Sequence, residues 1–295
     1  MTAIPWPRYF PAESLAVLRT CAYQYERRYV EGIPERPFSS LGRAAGEVGP
    51  AQMGEIVHRC LEVLDFTSEV DLSRLVREAA ASLGLPAPVE AQEEEMREML
   101  ERLLGSPLGE LMRKSERQHE VPFVCRIPSE RLEPAGRGTQ DSPDSDPPLE
   151  ASGLPSEICI RGKVDCLLTL PGGGIQLLDY KTHGVKADEV PAVLPQHEFQ
   201  IQVYAYALGQ AAASGQSPLA SHRRPLTAVL WYLRAGLARE VEVWPMEKAE
   251  KEIVSSVAAS PHAPGVSAPR RSELDRICFL CGYYPWACPG GGPAA

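Results

Sequence analysis

Residues 158–182 constrain this chain more than any other stretch: ICIRGKVDCLLTL, then PGGG, then IQLLDYKT. Two apolar runs flank a proline–glycine turn, which predicts two antiparallel strands (158–170 and 175–182) joined in a hairpin. The period of two places Ile175, Leu177, Asp179 and Lys181 on one face, half of it written for a core and half for charge. Asp165, on the preceding strand, shares a face with Arg161 and Lys163. With the turn at 171–174, position 179 pairs near 166, so Asp165 and Asp179 approach each other. Neighbouring carboxylates repel, and burying them is costly unless a cation neutralises the pair. Mg²⁺ or Mn²⁺ suits such oxygen ligands, polarises a phosphoryl oxygen and lowers the pKa of bound water. A lysine two residues along the strand can orient that water and stabilise developing charge. Taken alone, Asp-x-Lys also describes a surface ion pair at a strand end.

Around the hairpin the periodicity changes. Residues 12–30 read as a helix carrying Cys21 among aromatics. In 53–65, Met53, Ile56, Val57, Cys60, Leu61 and Leu64 form one helical stripe, and His58 falls roughly 130° from its centre. Helices are also expected over 71–83, 91–117, 197–213 and 246–258. EVPFVCRI, opening at Glu120, alternates as a strand, and 226–235 with 239–245 make a second hairpin. Residues 128–156, rich in acidic residues and proline and without aromatics, read as a disordered insertion. The fold class that follows is α/β, a mixed central sheet flanked by helices, with an N-terminal helical region and a cysteine-rich tail. The boundaries expected are 1–119 for the helical region, 120–258 for the core, and 259–295 for a linker and tail that pack back on the N-terminus.

Length is compatible with one or two domains. No run of 18 apolar residues exists to cross a membrane, and no secretory signal opens the chain, so a cytoplasmic protein is expected. A net charge of −9 argues against a protein that coats nucleic acid but not against one with an acidic metal site. Two basic groups, Arg19, Arg27, Arg28 and Arg36, and Arg270, Arg271 and Arg276, could meet phosphates or simply be solvated. No Gly-x-x-x-x-Gly-Lys-Ser/Thr loop occurs, so the chain binds no ATP by that route.

The combination RGKVDCLL, turn, LLDYKTHG, then QIQVYAYAL resembles the RecB/AddB-like branch of the PD-(D/E)XK nuclease superfamily over roughly residues 10 to 290. That resemblance implies a restriction-endonuclease-like core and a metal-dependent DNA nuclease. Asp165 and Asp179 would be metal ligands with the Tyr180 carbonyl, Lys181 the catalytic lysine, and Gln200 and Tyr204 its positioning partners. Gly54 to His58 fits the family's Gly-x-x-x-His pattern, which makes His58 a further metal ligand. Glu120 matches an acidic position of the family, or is a surface charge at a strand end.

The eight cysteines divide in two. Cys60, Cys125, Cys159 and Cys166 sit in apolar-periodic segments and read as core residues. Cys278, Cys281 and Cys288 crowd one loop, a trio one short of the four thiolates that zinc or a [4Fe–4S] cluster needs. The resemblance supplies the fourth: a subset of these nucleases carries an iron–sulfur cluster on one cysteine before the core and three after it. Cys21 matches the first, and the last spacing is one residue longer than usual. Such a cluster is structural, clamping the chain's ends together, with zinc as the alternative occupant. The resemblance implies a DNA exonuclease of recombination or repair, acting on a single-stranded end with a helicase partner. A CRISPR adaptation nuclease and an inactive DNA-binding module are the alternatives.

Overall fold

The protein is described from a computed structural model covering residues 6–34, 47–128, 156–215, 226–262, 278, 281–283 and 288. Its elements run β1 (Phe10–Pro11), α1 (Ala12–Thr20), α2 (Ala22–Tyr25), a π-helical turn (Glu26–Val30), α3 (Pro50–Val63), α4 (Leu72–Ser82), α5 (Glu90–Leu104) and α6 (Pro107–Lys114). The sheet-bearing half follows with β2 (Glu116–Pro128), β3 (Glu157–Thr169), β4 (Ile175–Lys181), α7 (Val190–Ala213), β5 (Leu226–Tyr232), β6 (Leu237–Val241) and α8 (Met246–Ala258). Six strands make one mixed sheet in which β3 is central. Antiparallel β2 runs along one edge of β3; β1 and β4 share the other, at Ile160–Arg161 and Cys166–Thr169 respectively. Parallel β5 and antiparallel β6 extend the sheet beyond β4.

Alternation along the strands builds a core on each side, as a sheet covered on both faces requires. Leu177, Leu230 and Tyr232 pack with α1, α7 and α8, while Leu178, Tyr180, Val229 and Trp231 pack with α3 to α6. No helix among the described residues is long and apolar enough to cross a membrane.

The alternation slips once. Val121, Phe123 and Cys125 face the α7 side, yet Arg117, an even number of residues away, stacks its guanidinium on Phe66 of the opposite core. In β3, Ile160 and Val164 face α7 whereas Cys166 and Leu168 face α3. The ladder steps from His119–Cys166 to Val121–Val164, skipping Glu120 and Asp165, and Glu120 has a left-handed φ of 51°. A left-handed glutamate costs of order 1–3 kcal/mol and persists where the surroundings demand it. The same kink interrupts both strands at two acidic residues.

Several boundaries differ from expectation. The strand predicted at Glu120 starts at Glu116, because Glu116–His119 pair with Cys166–Thr169. The helix expected over 91–117 breaks at Gly105–Ser106, where Ser106 accepts the Gly109 N–H at 3.1 Å and Pro107 opens α6. The helix over 12–30 is interrupted by extended backbone at Cys21. α7 starts at Val190, ahead of 197, with Pro191 in its first turn and Pro195 inside it. Cys60, Cys125 and Cys166 are buried as expected, but Cys159 is only half-buried. The insertion expected at 128–156 lies, but for its first and last residues, outside the described residues, as does most of the linker.

Candidate metal centre

The β3–β4 ladder ends at Cys166–Leu178, so the next positions in register are Asp165 and Asp179, where the strands part. The sequence placed this pairing within one residue. Asp165 turns its carboxylate onto the neighbouring strand: Oδ2 accepts the Tyr180 N–H at 2.7 Å. Its other oxygen lies 3.8 Å from His58 Nδ1.

His58 reaches the sheet because α3 can lie close to it. A Cβ on Gly54 would stand 2.8 Å from Thr182 Oγ1, so only glycine lets the helix sit there undisturbed. One turn later His58, off the buried stripe of Met53, Ile56, Val57, Cys60 and Leu61, is half-buried with Nε2 3.1 Å from the Tyr180 carbonyl. The kinked Glu120 completes the group. Ligand atoms of His58, Glu120 and Asp165 lie within 4.8 Å of one another, the set of that kind found among the described residues. Glu120 lies within β2 rather than at its end, and its Oε2 also meets Lys163 Nζ at 3.1 Å.

Asp179 and Lys181 point to the other side of β4, toward α7, and both are buried. Lys181 Nζ donates to Gln200 Oε1 at 2.8 Å, and Gln200 Nε2 donates to the Tyr204 hydroxyl at 2.5 Å. Gln200 and Tyr204, four residues apart, stack along one face of α7. Phe123 meets Tyr204 edge-on at 5.5 Å, and that ring needs Gly162, whose Cβ would stand 2.7 Å from it. Lys181 Nζ is also 2.6 Å from Asp179 Oδ2 as an ion pair, off hydrogen-bond direction, and that buried oxygen has no hydrogen-bond partner among the described residues. The sequence grouped Asp179 with the ligands; in the structure it faces Lys181, and Glu120 joins the tight set in its stead.

Burial, and then the Asp179 charge, push the Asp165 carboxyl up to about 7. A charge-poor carboxylate, an imidazole, a backbone carbonyl and a second acidic side chain make a donor set that fits a hard divalent cation. Two supports went unread in the sequence. Arg234 donates from Nε to the Thr182 carbonyl at 2.8 Å, pinning the end of the Asp179–Thr182 segment. His197 shares a 2.9 Å hydrogen bond with the Tyr232 hydroxyl and stacks beneath His183. Burial, and then Lys181, hold His197 well below the usual imidazole range. A lone arginine and histidine carry no spacing signal that would have marked them.

The N-terminal basic group is engaged locally: Arg19 with Glu252 and the Phe199 ring, Arg27 with Glu26 and Glu31, Arg28 with Glu13 at 4.0 Å. Arg36 and the basic group at 270–276 lie outside the described residues. Cys21, Cys278, Cys281 and Cys288 are all half-buried. Tyr283, between the last two, is buried and donates to the Ile33 carbonyl at 2.6 Å across 250 residues of sequence, and His262 bonds Tyr25 at 3.0 Å. Tyr283 and His262 thus each contact the N-terminal segment. The four cysteines do not, among the described residues, form a set tight enough for a single ion.

A mixed sheet sandwiched by helices is a restriction-endonuclease-like fold, and where its central strands part lies a His58, Glu120 and Asp165 group that could hold a metal ion. The profile of the PD-(D/E)XK nuclease superfamily matches residues 10–289, and the chain belongs to that superfamily. Among curated proteins it is similar to an ATP-dependent helicase/nuclease subunit from Acetivibrio thermocellus, 33% identical over 159 residues. The corresponding protein from Carboxydothermus hydrogenoformans is 28% identical over 166 residues. Each match covers 54% of this chain but only 11% and 12% of the relative. The crystal structure of SSO0001 overlays with a TM-score of 0.32 at 11% identity, over 88% of this chain and 92% of that one, too distant to bear on the reading.

Proposed function

We propose that the protein is a Mg²⁺- or Mn²⁺-dependent deoxyribonuclease, an exonuclease acting on DNA ends in recombination or repair beside a helicase. The observation that carries this is the braced Lys181: its ammonium is fixed by Gln200 and Asp179 next to the Asp165–Tyr180–His58 group. Asp165, His58, Glu120 and the Tyr180 carbonyl would hold the cation, with Asp179 reorienting from Lys181 to join them. A cation there polarises a phosphoryl oxygen and lowers the pKa of bound water. Lys181 stabilises charge growing on the cleaved phosphate, and Tyr204 keeps Gln200 turned toward it. The helicase partner is supported by the names of the two relatives.

The same reading includes a structural [4Fe–4S] cluster on Cys21, Cys278, Cys281 and Cys288. Its support is four half-buried thiols lying off the apolar stripes and a tail tied to the N-terminal segment through Tyr283 and His262.

Cleavage of labelled DNA is expected with Mg²⁺ or Mn²⁺ and not in excess chelator. Lys181→Ala and Asp179→Ala are each expected to lower the rate by at least about a hundredfold while DNA binding persists. Parental rates in both variants would overturn the assignment.

A further inference from the structure

Past the kink at Glu120 and Asp165, half of the β2–β3 hairpin stands clear of the helices on one side. Phe123, Cys125, Ile127, Ile158 and Ile160 face the α7 core, so the opposite face lies on the side that α3 covers elsewhere in the sheet. Among the described residues that face is uncovered: Val124 is 63% exposed, and the side chains of Lys163 and Arg126 are 64% and 66% exposed. Val124 sits opposite Arg161 in register, and Arg161 is also exposed, its guanidinium lying 3.2 Å over the Tyr9 ring.

We propose that this face is the track on which the phosphodiester backbone of a single DNA strand lies as it enters or leaves the metal centre. The proposal rests on the nuclease reading and names the surface that serves it. Lys163, Arg161 and, one strand over, Arg126 step outward from Asp165, two residues at a time. That is about 6.6 Å per step in a β-strand, a repeat close to that of successive phosphates in an extended single strand. Three cations in a row, in a chain with a net charge of −9, are complementary to phosphate. Two carboxylates temper them: Glu157 pairs with Arg126, and Glu120 with Lys163. Glu120 is drawn away from Lys163 when it serves the metal, which leaves that ammonium to the strand. Exposed Val124 and the Tyr9 ring offer apolar surface to bases beside the charges. An extended sheet face suits one flexible strand better than the round profile of a duplex.

The test is equilibrium binding of fluorescein-labelled oligodeoxythymidylates, six and twelve nucleotides long, by the full chain carrying Asp179→Asn in Ca²⁺. Added Arg126→Gln and Arg161→Gln are expected to weaken twelve-mer binding about tenfold and to shrink its salt slope by about 0.7 per lost contact, roughly 1.4 together. Six-mer binding changes by less than the twelve-mer's. Val124→Glu, at an exposed position that the fold tolerates, is expected to weaken the twelve-mer by repulsion alone. Unchanged affinity and slope in both variants overturn the track, as does an equal loss for both lengths. Cleavage by the unsubstituted chain is read separately: track-dependent binding without cleavage sinks the nuclease reading alone, and cleavage with indifferent variants sinks the track alone.

Discussion

Asp165 holds three relationships at once: a hydrogen bond to the next strand, an approach to His58, and a neighbour of like charge in Asp179. Its carboxyl is raised from 3.8 to about 7, so between those values the folded chain keeps a proton that the unfolded chain releases. Stability without metal therefore falls as pH rises through that window, and a cation that favours the carboxylate restores it. The thermal midpoint in chelator is expected to drop from about pH 5 to about pH 8, with the gain from added Mg²⁺ growing over the same range; Asp165→Asn removes this contribution. A Mg²⁺ gain that is equal at both ends counts against a ligand role for Asp165. His58 is half-buried off its helix's core stripe, so His58→Ala is expected to change stability by no more than about 0.5 kcal/mol. Cleavage is expected to fall, and further in Mg²⁺ than in Mn²⁺. A large stability loss with normal cleavage would make His58 a packing residue.

At the scale of elements, the site depends on how near α3 comes to the end of β4. Gly54→Ala forces its Cβ against the Thr182 hydroxyl and displaces His58 by a fraction of an ångström, so cleavage is expected to drop severalfold with little loss of folding stability. Thr182→Ala removes that oxygen, and the double variant is expected to recover, a coupling that a double-mutant cycle reads. If Gly54→Ala cleaves normally, the close approach is incidental. This contact explains what the sequence could and could not show. Periodicity revealed that His58 leaves the stripe and that Asp179 and Lys181 share a face, because both are local consequences of helix and strand geometry. Glu120 stood out only by the family resemblance; its place beside His58 and Asp165 did not, because a left-handed residue and a parity slip leave no mark in an alternating pattern. Asp179 was grouped with Asp165 correctly by register, but register says nothing of which carboxylate oxygen Lys181 engages. β1 is two residues long, below what any pattern resolves, and Arg234 works through a backbone carbonyl that carries no sequence signature.

For the molecule as a whole, the proposed cluster decides whether the ends act as one unit. If the cluster is present, anaerobically prepared protein is expected to be brown and to carry about four irons per chain. Cys21→Ala is expected to bleach it as fully as Cys281→Ala, and Cys60→Ala, deep in the α3 stripe, to keep the colour. One zinc per chain in colourless protein would replace the iron reading, and colour surviving Cys21→Ala would remove the clamp.

The pairing of Phe10 with Ile160 also sets a schedule for synthesis. At about 5–20 residues per second, roughly 8–30 s pass between the emergence of β1 and that of its partner, and the Ile33 carbonyl waits longer still for Tyr283. β1 is therefore made well before the strand it pairs with and settles late. A ribosome that has released β4 but still holds α7 in its exit tunnel carries a nascent chain whose β2, β3 and β4 can already pair while its α1 helix lacks α7 and α8 to pack against.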